Sequence, residues 1–283
     1  MPIYKPTELR QFLSELNIAP KKGLSQNFLI DGNIIRKIVE VSHVEPDDVV
    51  LEIGPGPGSL SEELLNNSAT VVAVEKDDVL AKALERLKSP TRRLEVFCED
   101  ILKFPIEAEL TPLLAENRKA KVIANLPYHL TTPILVHLVP LRNTLSTLTL
   151  MVQDEVARRF TAAPGTPEYG SFTVFLNFYT NARYAFQVSQ NCFYPAPSVN
   201  SAVVILELKS PPAVSSEDDF FKMTRTAFSQ RRKMLRVSLR PLYSADIVTE
   251  ALTSLNINPQ VRPEELSLDD FLKLFEILYA SKA

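Results

Sequence analysis

Short apolar runs rich in β-branched residues recur along the first two hundred positions, and most are followed by segments with apolar residues at helical spacing. Val49-Val50-Leu51-Glu52-Ile53 reads as a strand and Ser59–Leu65 as the helix after it. Thr70–Val74, Leu94–Cys98, Lys121–Ala124 and Leu145–Val152 repeat the strand pattern, and Asp78–Lys88 is spaced as an amphipathic helix. Strands that alternate with helices predict an α/β fold built on a parallel, doubly wound sheet. A further strand is expected over Val199–Leu208. The proline-rich stretch Ser210–Ser216 reads as a linker. Beyond it only helical spacing recurs, at Asp218–Phe228, Arg231–Leu239, Ala245–Leu255 and Pro263–Leu278. The expected organisation is a domain over residues 1–210 followed by a small all-α domain over 211–283.

The polar punctuation of this pattern is informative. Glu52 leads into Gly54-Pro55-Gly56-Pro57-Gly58, Glu75 closes the second strand, Asp100 follows the third, and Asn125-Leu126-Pro127-Tyr128 closes the fourth. In doubly wound sheets ligands bind beyond the carboxyl ends of the strands, so four strands would deliver these groups to one edge. Glycines there allow a sharp turn and close approach of backbone to ligand. Glu75 is placed to accept hydrogen bonds from two ribose hydroxyls. A tight turn with a solvated carboxylate would account for the same residues. The dinucleotide fingerprint needs a third glycine at position 59, which is Ser59. A nicotinamide cofactor and a nucleoside cofactor without pyrophosphate both remain open at this point. Asp100 is suited to an adenine amine. Asn125 and the carbonyl of Leu126 offer two acceptors for the hydrogens of an exocyclic amine, with Pro127 fixing the turn and Tyr128 stacking on the base.

Composition narrows the field. The 283 residues hold 31 basic and 34 acidic side chains, a net charge of −3 that taken alone argues against a nucleic-acid partner. Binding depends on local patches, however. Phe220–Tyr243 carries Lys222, Arg225, Arg231, Arg232, Lys233, Arg236 and Arg240 with no acid, and this is the candidate phosphate-contacting surface. Two cysteines and three histidines without ligand spacing make a disulfide framework or a metal site unexpected. Cys98 is read as a small buried hydrophobe. The N-terminus lacks the apolar run of a signal peptide, and no stretch approaches the roughly 18 apolar residues of a membrane span. A cytoplasmic location without membrane association is expected.

Taken in order, Glu52–Gly58, Glu75, Asp100 and Asn125–Tyr128 resemble the ribosomal RNA adenine dimethyltransferase family. Gln26-Asn27-Phe28-Leu29, Gln153–Arg159, Phe193–Val204, Arg231–Leu235 and Arg262–Leu266 extend the likeness from about Lys21 to the last helix. The chain is most similar to the bacterial small-subunit branch, which dimethylates two adjacent adenosines near the 3′ end of the RNA. The sister branch acts on large-subunit RNA. The resemblance implies a Rossmann-like class I methyltransferase sheet, S-adenosyl-L-methionine as cofactor and ribosomal RNA in an immature small subunit as partner. A monomer is expected. It assigns Asn27, Leu29, Gly54, Glu75, Asp100 and Asn125 to cofactor binding, with Asn27 and Leu29 closing over the methionine end. It assigns Asn125, Leu126, Pro127, Tyr128 and Phe193 to catalysis, with Phe193 packing on the target base opposite Tyr128. Arg231, Arg232, Lys233 and Arg236 are assigned to RNA. Where the family commonly has glycine before the Gln-Asn-Phe-Leu run, this chain has Ser25.

Overall fold

The computed structural model describes residues 3–24, 26–67, 70–230 and 232–281; Ser25 and Arg231 lie outside them. The chain divides into two compact units, Met1–Ala157 with Arg183–Lys209, and Arg158–Ala182 with Ser210–Ala283. Among the described residues no helix is long and apolar enough to cross a membrane.

The first unit is organised around its sheet. The strands are β1 (Phe28–Leu29), β2 (Val49–Ile53), β3 (Thr70–Glu75), β4 (Leu94–Cys98), β5 (Ala120–Asn125), β6 (Leu145–Gln153), β7 (Thr180–Val188), β8 (Phe193–Tyr194) and β9 (Ser201–Leu208). Seven form one sheet in the order β4-β3-β2-β5-β6-β9-β7, and β1 pairs with β8 in a two-stranded ribbon. β4, β3, β2, β5 and β6 run parallel, whereas β9 is antiparallel to β6. Every residue of β2 is buried, which is why its sequence is a continuous apolar run interrupted only by Glu52. The strand order reverses direction around β2, which pairs with β3 on one side and β5 on the other, and a crevice opens at such a switch point.

Two expectations need correction here. Cys98 is exposed, on β4, which is an edge strand of the sheet with a partner strand on one side only. The helix expected over Asp78–Lys88 stops at Ala83 and continues as a tighter 3-10 turn over Leu84–Leu87. A helix at Pro6–Glu15, not expected from the pattern, buries Leu9 and Leu13 in a cluster with Phe28 and Leu80. Its Phe12 ring lies 4.7 Å from the Arg86 guanidinium, which donates in turn to the carbonyl of Pro57 in the glycine loop.

In the second unit, the helix Ser171–Tyr179 packs aromatic rings against the helix Glu217–Ala227. Phe175 and Phe221 are 5.2 Å apart, and Phe178 and Phe220 5.4 Å. That contact draws residues 158–182 to the C-terminal helices, so the unit is made of two pieces of chain and is larger than 211–283. The helices Ala245–Ser254 and Leu268–Ala280 start at Ser244 and Ser267, whose hydroxyls accept from backbone N–H groups of the first turn. The helix expected over Arg231–Leu239 is only Leu235–Ser238. Arg232 has φ 70°, a left-handed conformation that no α-helix can run through.

Candidate active site

The turn after β2 is built by three left-handed glycines, with φ of 64° at Gly54, 57° at Gly56 and 90° at Gly58. Gly54 donates to the carbonyl of Val74 at 2.9 Å, which pins the loop to β3. A side chain on Gly56 would place its Cβ 3.1 Å from the Phe28 ring, and one on Gly58 would meet Leu84 at 2.7 Å. The loop therefore lies between packed walls and leaves its open side at Gly54, where an added Cβ would meet nothing within 4 Å. The helix Ser59–Asn66 begins directly behind.

Glu75, at the carboxyl end of β3, holds this loop. One carboxylate oxygen accepts from the Gly56 N–H at 2.9 Å and the other from the Asp77 N–H at 2.8 Å. Burial raises its pKa, and the two backbone donors oppose that rise. Asp77 in turn caps the helix Asp78–Ala83. It also pairs with Lys21 at 2.8 Å and accepts from the Gln26 side chain at 3.2 Å, which ties the segment before β1 to the end of β3. Asp100 pairs with Lys76 at 2.8 Å, and that hydrogen bond holds its carboxyl below the usual range.

Asn125 ends β5. Its Nδ2 donates to the main-chain carbonyl of Asn27 at 3.0 Å. The bond orients the amide, and among the described residues no donor claims Oδ1. Leu126 donates its N–H to Met151, so its backbone is fixed against β6. The Tyr128 hydroxyl shares a hydrogen bond of 2.8 Å with Ser201, and burial raises its pKa.

These groups enclose one cavity of about 230 Å³. Asn27, Gly54, Glu75, Asp100, Asn125, Leu126, Pro127 and Tyr128 all line it, as anticipated. So do Phe28, Lys76 and His129, which sequence reasoning did not assign, although each directly adjoins an assigned residue. Among the described residues Lys76 is the only lysine or arginine on the wall, set against Glu75, Glu99 and Asp100. Leu29 and Phe193 are not on the wall. They face each other in the β1–β8 ribbon and are buried in the same core cluster, Phe193 with 3% exposure. The ring expected opposite Tyr128 is instead drawn inward by that pairing. In the second unit Arg232 and Lys233 are exposed and Arg236 is half-buried; the expectation for Arg231 falls outside the described residues.

Residues 18–280 match the family profile described as ribosomal RNA adenine dimethylase. The chain belongs to that family. A curated relative, ribosomal RNA small subunit methyltransferase A of Protochlamydia amoebophila, is 62% identical over 282 residues, covering 100% of this chain and 99% of that one. The protein of the same name from Chlamydia felis is 50% identical, covering 96% and 95%. Among solved structures, a dimethyladenosine transferase from Plasmodium falciparum shares the fold with a TM-score of 0.75 at 23% identity, over 90% of this chain and 98% of that chain. The 23S rRNA methyltransferase ErmE gives 0.68 at 26% identity, over 89% and 100%. The sheet is thus the Rossmann-like sheet of class I methyltransferases, and this dimethylase is a methyl-transferring enzyme of ribosomal RNA adenines. The hydride-transfer alternative falls away.

Proposed function

We propose that the enzyme transfers methyl groups from S-adenosyl-L-methionine to the exocyclic amines of two adjacent adenosines near the 3′ end of small-subunit ribosomal RNA. The names carried by the relatives support the small-subunit assignment. On this reading the protein acts in the cytoplasm as a monomer on immature small subunits. The sheet unit carries the chemistry, and the helical segment after 211 meets RNA phosphates through Arg231, Arg232, Lys233 and Arg236.

The observation that carries this reading is the oriented amide of Asn125. The residues present also fit the cofactor. Each Glu75 oxygen accepts one backbone N–H and keeps lone-pair capacity for ribose hydroxyls. Gly54 leaves room for close approach. Among the described residues the wall holds three carboxylates and a single lysine, itself paired, which suits a cationic ligand and disfavours a pyrophosphate. Asn27, Gly54, Glu75, Asp100 and Asn125 would hold the group, while Leu29 is buried in the β1–β8 ribbon. When bound, it supplies an electrophilic methyl on a positively charged sulfur.

The protein's own contribution is placement. An adenine amine is a weak nucleophile because its lone pair is delocalised into the ring. Asn125 Oδ1 and the Leu126 carbonyl accept its two N–H bonds, which favours a pyramidal nitrogen with a localised lone pair. Tyr128, anchored by Ser201, supplies a stacking face for the extruded base. Orientation and charge placement of this kind need no strong general base. The test is methyl transfer to unmethylated immature small subunits against naked large-subunit RNA. Modification of paired adenosines in the former is expected; label only in the latter would overturn the assignment.

A further inference from the structure

A second hollow opens on the same sheet edge, lined by Gln153, Asp154, Glu155, Gln190, Ser198, Val199 and Asn200 and about 430 Å³ in volume. Its position relative to the active site follows from strand register. Met151 of β6 pairs with Asn125, and Gln153 lies two residues further on, roughly 7 Å along the strand. Gln153 pairs with Ser201 of β9, the residue that holds Tyr128. The hollow thus begins on the far side of the Tyr128–Ser201 hydrogen bond.

Its chemistry differs from that of a phosphate site. Among the described residues no lysine or arginine lines it, and two carboxylates do, of which Asp154 already accepts from the Tyr184 hydroxyl, so the lining does not favour a phosphate. Glu155 is exposed, and among the described residues neither its carboxylate nor the Gln153 amide has a hydrogen-bond or ion-pair partner. Asn200 Oδ1 accepts from the Gln190 N–H at 3.1 Å, which orients that amide and leaves its Nδ2 as a donor. Val199, 44% exposed, adds an apolar surface beside these groups. The combination is a carboxylate acceptor, an oriented N–H donor and an apolar contact, and Asn200 directly precedes the Ser201 that holds Tyr128.

We propose that this hollow is a subsite for the base of a nucleotide flanking the methylated adenosine, and that it takes the Watson–Crick edge of guanine. Guanine presents two adjacent N–H donors, N1–H and the 2-amino group, which one carboxylate accepts together. It also presents O6, which the Asn200 amide can reach as donor. Splayed single-stranded bases are read on such edges. Glu155 accepts from the guanine, Asn200 donates to it, and Val199 contacts its face. The inference deepens the small-subunit reading and rests on it: register of the target adenosine would be set by the neighbour as well as by the pocket around Asn125.

The experiment uses full-length protein and small-subunit particles reconstituted with RNA bearing single replacements within three nucleotides of the target. Each guanosine is replaced by inosine, which lacks the 2-amino group, and each non-target adenosine by purine riboside. Wild type is compared with Glu155→Gln and with Asn200→Asp, which keeps the acceptor for Gln190 and removes the donor. One inosine position should lower wild-type kcat/KM about tenfold, mainly through KM, the size expected for a lost bidentate contact. Glu155→Gln should be about tenfold weaker on unreplaced RNA and indifferent to that inosine. Both variants should retain the wild-type thermal shift with S-adenosylhomocysteine, which shows that the fold and the cofactor site are intact. Equal inosine sensitivity in wild type and Glu155→Gln, at every position, would overturn the proposal. Sensitivity confined to purine riboside would overturn the choice of guanine. Failure of wild type to methylate the unreplaced particle would bring down the parent reading, and the subsite with it.

Discussion

Asn125 and Asn27 lie 98 residues apart, yet the side-chain amide of the first donates to the main-chain carbonyl of the second at 3.0 Å. The bond joins the end of β5 to the segment leading into β1 and settles which face of the amide is left to act as acceptor. Replacing Asn125 by alanine removes both the acceptor and the tie. We expect kcat to fall at least about a hundredfold, the usual cost of one preorganised polar contact to a transition state. RNA affinity, measured by filter binding, should stay within a few-fold of wild type.

RNA affinity should respond to a different set. Changing Arg232, Lys233 and Arg236 together to alanine removes three cations that the helical unit carries on a turn and a short helix. Binding to small-subunit RNA should weaken, and the slope of log affinity against log salt should fall by about 2–3, close to one per lost phosphate contact. The turnover number at saturating RNA should hold.

Gly56 is a test of the loop's geometry. Alanine there meets the Phe28 ring at 3.1 Å and must adopt φ 57°. A left-handed non-glycine residue costs about 1–2 kcal/mol. Gly56→Ala should lower the melting temperature by several degrees, and calorimetry should show weaker binding of S-adenosylhomocysteine, because Phe28 and the loop both line the cavity.

The deeply buried Glu52 predicts a pH profile. Burial pushes its pKa from 4.5 up to about 8, and among the described residues no hydrogen-bond donor reaches its Oε2. Between those values the native state keeps a proton that the unfolded chain releases. Stability should therefore fall as pH rises across that window, by as much as about 1.4 kcal/mol per unit, and level off above it. In Glu52→Gln, urea melts at pH 5, 6.5 and 8 should show a flatter profile.

The cavity was readable because β3, β4 and β5 each carry a lining residue at or just beyond their carboxyl ends. Glu75, Asp100 and Asn125 needed only the strand pattern to be brought to one edge. Features that depend on distant partners were not readable. Phe193 is buried because a two-residue strand pairs with Leu29, 164 positions earlier, and nothing local announces that. The aromatic run Phe172–Tyr179 joins the C-terminal helices through Phe220 and Phe221, so a boundary drawn at a proline-rich linker misses it. The helix through Arg231–Leu239 had the right periodicity, but periodicity does not register one left-handed residue at Arg232. Cys98 lies on an edge strand, and the composition of a strand does not report its place in the sheet.

The helix Pro6–Glu15 has a practical consequence for anyone who shortens this enzyme. A chain trimmed to start at residue 18, where the family match begins, would retain all the cavity-lining side chains. It would nonetheless lose the scaffold behind Phe28 and the ring that covers Arg86. Such a truncation would look complete by sequence comparison and still work with a loosened donor-side wall.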